Sequence, residues 1–551
     1  MKVQKIFSYI QRIYGPMIFL LSLATAALNI LLLMLINRGL ATIGAGYSPA
    51  YRIGVGFFIC LIAYLSLDYI YQAALIKLSE NFTCKVRLEL LDQIRKSSYE
   101  KYEKIGMDRI WPVLSADPLK IGLLATLTSS FISSAATIVG VLIYIFFLSI
   151  QGFLYSMLLL AAYLAISLVA QRRIVRHLKY QNTLEEDLFM HILDLVLGIK
   201  EMKVDHDQND DLYGNYLVPK ATRLQDERTE NTIFQTRISS FGSSIFLLTI
   251  GCFLFLLPVL HWNLLKDPVQ FVVAIFFVRG SVLQLVPLFP GFATAVSTIE
   301  RLEQFKKDLG DNEIRSSGKQ EGSFESLRLE EVSFSYPGET GARQFTVGPI
   351  NLEIRKGDLI FIHGGNGSGK STLARLLCSL YPARQGTMML NNTKIGSADL
   401  RSYRDLFGVS FTDNYLSAKL YGNTIPVSDE VNFYIEKLGL AQTISFKGNS
   451  FSSLNLSEGQ KKRVSLIHLL IKDKPIYIFD EWAANQDPEF RDFFYRNIVA
   501  DLVTNKKTVI VITHDDRYFY LARRLFKMDN GRLFEVEHRF NAVPMDAVPS
   551  S

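Results

Sequence analysis

The run Gly364-Gly365-Asn366-Gly367-Ser368-Gly369-Lys370-Ser371-Thr372 has the residue types and spacing for holding phosphate. Glycines at this density let the backbone curl until successive N–H groups point at one anion. Lys370 is then placed to reach the β- and γ-phosphates of a nucleoside triphosphate, and Ser371 to offer its hydroxyl to Mg²⁺. The apolar Asp358–His363 precedes the run as a strand and Thr372–Leu380 follows it as a helix, which is the context that gives the pattern meaning. A glycine-rich turn without ligand would require neither the lysine nor that context. Hydrolysis needs a second site that holds the metal and orients water. Pro475–Phe479 reads as an apolar strand ending in Asp480 and Glu481. Asp480 suits the metal, and Glu481 suits the group that polarises the attacking water. A strand ending in two acids says little alone; beside a P-loop it says much more.

The elements that must position these residues fall into two halves. At 551 residues the chain is too long for one core, and 49% of it is hydrophobic. The long apolar runs crowd the first half. Six of them reach bilayer length: about Pro16–Ile36, Ile53–Leu75, Leu124–Ser149, Phe153–Ala170, Ile238–Leu260 and Val269–Phe289. The first is too long for a signal-peptide core and reads as a retained span. The third and fourth are joined by a tight turn around Ile150–Gly152. The long polar segments after the second and fourth spans carry the basic residues, among them Lys85, Arg87, Arg95, Arg172, Arg173 and Arg176. The short opposite loops hold little beyond Arg38, Arg52 and Lys266. By the positive-inside rule the long segments, both termini and the second half are cytoplasmic. Six buried helices of a soluble protein would show no such asymmetry.

The domains expected are a transmembrane domain over 1–305, a linker over 306–325, an ATPase domain over 326–538 and a tail over 539–551. The fold class is a multi-domain membrane protein: an all-α domain of six spans, then an α/β P-loop ATPase domain with a helical insert. A formal net charge of +6 is small for this length, so nucleic acid is not indicated as a partner; the lipid bilayer is. The four cysteines (Cys60, Cys84, Cys252, Cys378) have no metal-site spacing and read as free thiols.

Leu456-Ser457-Glu458-Gly459-Gln460, followed by Lys461-Lys462-Arg463, narrows the reading. It resembles the ABC signature, usually LSGGQ, with Glu458 in place of a glycine. The resemblance implies that Ser457, Gly459 and Gln460 meet ATP held by an opposite subunit. It also implies that Tyr336 stacks on adenine, that Asp487 in Ala484-Asn485-Gln486-Asp487 crosses the dimer interface, and that His514 contacts the γ-phosphate. Glu481, His514 and Lys370 are thus the catalytic candidates. Ser371, Asp480 and Thr412 are the Mg²⁺ candidates. Thr412 stands where the family has glutamine; its reach is shorter, and Asp413 could substitute in part.

Within the family the motifs most resemble the bacterial cyclic-peptide and siderophore exporters, the group of the microcin J25 and pyoverdine exporters. The resemblance rests on Gly364-Gly365-Asn366-Gly367, Leu456–Arg463, Asp480-Glu481-Trp482-Ala483-Ala484 and Thr513-His514-Asp515-Asp516. It implies ATP-driven export of a peptide-like or siderophore-like molecule from a bacterial inner membrane by a homodimer, since one chain has one P-loop and one signature. An exporter of lipids or hydrophobic drugs would use the same engine, and a regulatory ABC ATPase that moves nothing would lack the spans. The coupling of the two domains is expected near Gly106–Leu119 and Asp205–Tyr216. Arg279 and Asp68 lie inside apolar spans, where a charge costs about 2.5–3.5 kcal/mol, and are candidates for the substrate path.

Overall fold

The computed structural model describes residues 16–44, 51–256, 268–310, 323–336, 345–396, 399–413, 415–422 and 428–537. They divide into two compact units, one of Met1–Arg95 with Ile105–Leu309, the other of Lys96–Lys104 with Gly310–Ser551.

The first unit is helical: α1 (Pro16–Gly44), α2 (Tyr51–Lys96), then, past α3 (Tyr99–Ile105), α4 (Met107–Ser115), α5 (Asp117–Leu148), α6 (Ile150–Leu197), α7 (Ile199–Val204), α8 (His206–Asp211), α9 (Val218–Gly251) and α10 (Pro268–Leu309). Six helical stretches among the described residues are long and apolar enough to cross a membrane, and each expected span lies in one of them. The end of the fifth, Leu257–Leu260, falls outside the described residues. The helices run far past the apolar runs. At 46 residues, α2 is about 69 Å long, more than twice a hydrocarbon core of about 30 Å. The hairpin between the third and fourth spans is tighter than expected: Ser149 alone leaves the helix, at φ −161° and ψ 123°, and its hydroxyl accepts the Gly152 N–H at 3.3 Å. One extended residue that also caps the next helix is enough to reverse the chain.

Packing in this unit depends on small residues beside large ones. The fully buried Tyr163 of α6 lies against Gly242 of α9, where a Cβ would come within 2.1 Å of its ring. Apolar side chains such as Phe58, Ile59 and Ile62 of α2 stay exposed, as suits a helix solvated by lipid rather than water.

The second unit takes in most of α3 and the ATPase. Strands β1 (Ser326–Ser335), β2 (Thr346–Arg355), β4 (Gln385–Leu390) and β5 (Thr393–Lys394) form an antiparallel sheet in the order β2-β1-β4-β5. The central sheet has the order β12-β11-β3-β10-β9-β6, from β3 (Leu359–His363), β6 (Phe407–Ser410), β9 (Ile476–Asp480), β10 (Thr508–Ile512), β11 (Arg524–Asp529) and β12 (Arg532–Val536). All of it is parallel except the β12 edge. Helix α11 (Lys370–Leu377) follows β3, and α12 (Leu400–Arg404) precedes β6. Between β6 and β9 the chain inserts α13 (Ser428–Lys437), a small hairpin of β7 (Phe446–Lys447) and β8 (Ser450–Phe451), and α14 (Glu458–Leu470). After β9 come α15 (Pro488–Phe493) and α16 (Ala500–Thr504).

Strands β9 and β10 are buried at every position, as a parallel sheet covered on both faces requires. Alternate residues feed two cores. Leu359, Phe361, Phe479 and Val511 pack on one face, and Ile360, Ile362, Ile478 and Ile510 on the other. The segment expected as a linker begins later than position 306, because α10 stays helical to Leu309; residues 311–322 and the tail 539–551 lie outside the described residues.

One buried ion pair ties the helical unit together. Asp117, 1% exposed at the start of α5, accepts both Nε and a terminal nitrogen of Arg301 from α10, the first at 2.9 Å. Asp117→Ala removes a carboxylate that is fully desolvated and leaves the guanidinium without it. The expected loss is about 1–3 kcal/mol, read as a lower thermal midpoint of the detergent-purified protein. An unchanged midpoint would show that the pair contributes nothing.

Candidate active site

Parallel pairing brings the sequence motifs to one edge of the central sheet. Strands β3, β10, β9 and β6 run side by side, and Ile512 of β10 lies opposite Asp480 of β9. The segments leaving their C-terminal ends are the P-loop, Thr513-His514, Glu481 and Thr412. In open α/β sheets this is the edge where ligands bind.

The P-loop needs its glycines for two separate reasons. A Cβ at Gly364 would come within 2.1 Å of the Met528 carbonyl oxygen. Gly369, at φ 106°, caps α11 in a left-handed conformation and faces Val347 too closely for a side chain. Within the loop the buried Lys370 ammonium donates to the Gly364 and Gly365 carbonyls at 2.9 and 3.0 Å. It lies 3.7 Å from Glu481 Oε1, and that oxygen is 2.8 Å from His514 Nε2. Glu481 takes a left-handed backbone (φ 51°, ψ 34°), a conformation that costs a non-glycine residue about 1–3 kcal/mol and is found where the surroundings enforce it. Lys370, Glu481 and His514 therefore form one contiguous cluster.

Asp480 is 1% exposed, and its Oδ1 has no hydrogen-bond partner. Burial pushes its carboxyl above the usual range, and the Ser371 and Thr412 hydroxyls on it pull the other way. An orphaned, desolvated carboxylate oxygen next to a P-loop hydroxyl fits a hard divalent cation, which takes oxygen ligands. No cluster of three or more His, Cys, Asp or Glu is found among the described residues. Thr412 Oγ1 donates to the Asp480 backbone carbonyl at 3.3 Å. Asp413 is turned elsewhere, paired with Arg375 at 3.3 Å.

Tyr336 sits beside the P-loop with its hydroxyl 2.9 Å from that of Thr372. Its ring meets Phe334 and Tyr381 edge-on, at 5.2 and 5.7 Å.

Ser457, Gly459, Gln460 and Asp487 form a separate group. Ser457 caps α14 in a reciprocal capping box with Gln460. The Gly459 carbonyl accepts from Gln486, and a side chain at Gly459 would be tight, because the Asn485 carbonyl lies 3.1 Å from where its Cβ would be. Asp487 caps α15 through the Phe490 N–H at 2.8 Å; that bond, with Arg463 behind it, holds its carboxyl below the usual range. Among the described residues none of these four makes a hydrogen bond or ion pair with residues 364–372. Glu458, the departure from the usual signature, is 73% exposed and pairs with Lys461.

Two features escape the sequence. Arg463 binds Gln486 and Asp487 and lies 3.6 Å over the Phe490 ring, fixing the loop after β9 to the signature helix. And the segment that groups with the ATPase is Lys96–Lys104, just ahead of the expected Gly106–Leu119. Tyr381 donates to Glu103 of α3 at 2.6 Å, Arg384 bonds Glu100, and Tyr99 packs 6.0 Å from Tyr381. The acid and tyrosine spacing of Tyr99-Glu100-Lys101-Tyr102-Glu103 was the available signal.

The sequence model described as ABC transporter matches residues 347–484. A putative ABC transporter ATP-binding protein of Methanosarcina mazei is 32% identical over 221 residues, covering 38% of this chain and 77% of the relative. The chain belongs to the ABC transporter family. Over a longer stretch the transporter is 29% identical to the ATP-binding protein SyrD of Pseudomonas syringae pv. syringae, across 468 residues and 81% of each chain. In fold it is similar to a bacterial Atm1-family ABC exporter with ATP bound, with a TM-score of 0.76 at 18% identity, over 95% of this chain and 94% of that one. The transporter is a multi-pass membrane protein that couples ATP hydrolysis to transport.

The cluster predicts that Glu481→Gln, which keeps shape and removes the basic oxygen, retains nucleotide affinity while turnover falls about 10²–10⁴-fold. Near-normal hydrolysis by the purified variant would remove Glu481 from the chemistry. A second outcome concerns the metal: Thr412→Val should raise the Mg²⁺ concentration needed for half-maximal turnover, and Thr412→Gln should be tolerated. An unchanged Mg²⁺ titration of Thr412→Val would show that the position does not face the metal.

Proposed function

We propose that two copies of this chain form an ATP-driven exporter of a peptide-like or siderophore-like molecule across a bacterial inner membrane. The observation that carries the reading is the Glu481 carboxylate held between the Lys370 ammonium and His514 at the mouth of the P-loop. With ATP bound, Lys370 exchanges its two carbonyl acceptors for phosphate oxygens. Ser371 and Asp480, with Thr412 beside them, are the groups that would hold Mg²⁺, whose charge offsets that of the phosphates. Glu481 accepts a proton as water attacks the γ-phosphorus, and His514 steadies the carboxylate while facing the same phosphate. Tyr336 offers its ring to adenine, a contact worth roughly 1–3 kcal/mol and indifferent to the base edge.

The separation of the two groups of motifs supports a dimer. Ser457, Gly459, Gln460 and Asp487 are tied to α14 and α15 and, among the described residues, make no hydrogen bond or ion pair with residues 364–372, which fits an ATP held between two chains. A two-fold homodimer is the economical closure. In that arrangement both termini and the ATPase are cytoplasmic, in accord with the Lys/Arg-rich segments after the second and fourth spans. Export, rather than import, accords with six spans and an ATPase in one chain.

The substrate class rests on the motif resemblance and on Arg279. This residue of α10 is half-buried, donates to Ser243 of α9 at 2.5 Å, and leaves Nε without an acceptor. Among the described residues it has no ion pair with Asp68, and its guanidinium keeps a donor for a polar or anionic part of a substrate. Arg279→Ala in proteoliposomes should lower export and ligand-stimulated ATPase, with nucleotide affinity unchanged. Equal export by a normally inserted variant removes Arg279 from the path. Stimulation of the unmodified transporter by lipids but not by cyclic peptides or siderophores would assign it to the lipid and hydrophobic-drug exporters instead.

A further inference from the structure

The signature helix reaches the active site through one side chain that the reaction as described does not use. Lys462 lies in the second turn of α14, five residues after Ser457. Its ammonium donates to two consecutive backbone carbonyls, those of Glu481 at 3.1 Å and Trp482 at 3.2 Å. The bond is returned: the Trp482 indole N–H donates to the Lys462 carbonyl at 3.2 Å. Trp482 is itself anchored, 2% exposed and stacked 4.3 Å from Phe494.

Two adjacent carbonyls converge on one cation only because Glu481 has the left-handed backbone described above. That conformation needs support from outside the strand. On one side the Glu481 N–H donates to the Ile512 carbonyl at 3.0 Å, which extends the β9–β10 pairing. On the other side Lys462 holds the carbonyl. Burial lowers the lysine's pKa, and the nearby Glu481, Asp480 and Glu458 carboxylates oppose that.

We propose that Lys462 is a positioning residue that fixes the backbone of Glu481, and that it ties hydrolysis at one ATP to engagement of Ser457 with the other. The inference rests on the reading above, in which Glu481 is the base and Ser457 meets the partner's nucleotide. Movement of α14, when its N-terminus closes on the partner's ATP, is carried by the lysine to the Glu481 carbonyl and through it to the carboxylate. Without the lysine, Ser457 can still bind but its binding no longer sets the base. A displacement of about 1 Å at a reacting group can cost on the order of 10²-fold in rate.

The test uses the full-length transporter in proteoliposomes, with Lys462→Met, which keeps the length of the stem, and Lys462→Arg, which keeps charge and donors. Turnover, KM, affinity for a fluorescent ATP analogue, the Hill coefficient for ATP and the thermal midpoint are measured for each. Expected for Lys462→Met is a loss in kcat of about 10–10²-fold, with analogue affinity and midpoint unchanged and the Hill coefficient falling toward one. Lys462→Arg should recover much of the turnover. Wild-type kcat in Lys462→Met overturns the proposal, and so does a loss matched by a lower midpoint in both variants, which would mark the lysine as structural. Glu481→Gln, measured alongside, separates the two levels: if it hydrolyses normally, the reading of the base fails first, and if it is inactive while Lys462→Met is normal, only the positioning role fails.

Discussion

Two carboxylates at consecutive positions, Asp480 and Glu481, end a strand whose every residue is buried, and their charge has to be met from elsewhere in the chain. A lone desolvated carboxylate would take up a proton, and Asp480 is already pushed in that direction. The groups that gather there come from several elements. Lys370 and Ser371 come from the P-loop and the first turn of α11, Thr412 from just past β6, His514 from just past β10, and Lys462, on the Glu481 backbone, from α14. Each can be there only because β9 lies between β10 and β6 in a parallel register. The central sheet is thus the device that concentrates positive and hydroxyl groups around two acids, leaving one carboxylate oxygen of Asp480 open to a metal.

The same constraint explains why the signature group stays apart. Its polar groups are used up locally, Ser457 in a capping box, Gly459 with Gln486, and Asp487 with Phe490 and Arg463. Helix α14 is tied to the Glu481 and Trp482 carbonyls through Lys462 and to Gln486 and Asp487 through Arg463. Both ties end on the segment that contains Glu481, Trp482 and Asp487. The strain at Glu481 is then part of a connected structure rather than a local defect, since the residues enforcing it come from β10 and from α14.

Much of this was legible in the sequence where a residue's meaning is carried by its neighbours. The P-loop, Asp480 with Glu481, Ser457 to Gln460 and His514 each sit in a short run whose order encodes the role, and bilayer-length apolar runs are read by counting. The fold of six spans and an α/β ATPase followed from those runs alone. What stayed hidden depends on contacts across long stretches of chain. The acid and tyrosine spacing around Glu103 marks its segment but does not name Tyr381, 278 residues away, as the partner, and nothing in Lys461-Lys462-Arg463 says which of three basic residues faces the active site. Ser149 was hidden for a different reason: a single residue can reverse two helices when its own hydroxyl caps the second, and composition does not register one residue.

On the proposed reading, Thr412 takes the place of the family's glutamine. A threonine side chain is shorter by about two bonds, and here its hydroxyl is already partly committed, donating to the Asp480 carbonyl. Mg²⁺ dehydrates reluctantly and usually retains several waters, so it would not require a direct protein ligand at position 412. Asp413 does not make up the difference, because Arg375 holds it. That guanidinium also lies 3.8 Å from Glu103 and bonds the Tyr381 hydroxyl at 3.3 Å. The residue next to Thr412 is therefore joined through one half-buried arginine to α3, the short helix that follows the long α2. Arg375 thus serves three partners at once, Asp413, Glu103 and the Tyr381 hydroxyl, as the several donors of a planar guanidinium allow. Position 413 is in this way joined to α3 through charge, without a long side chain at position 412.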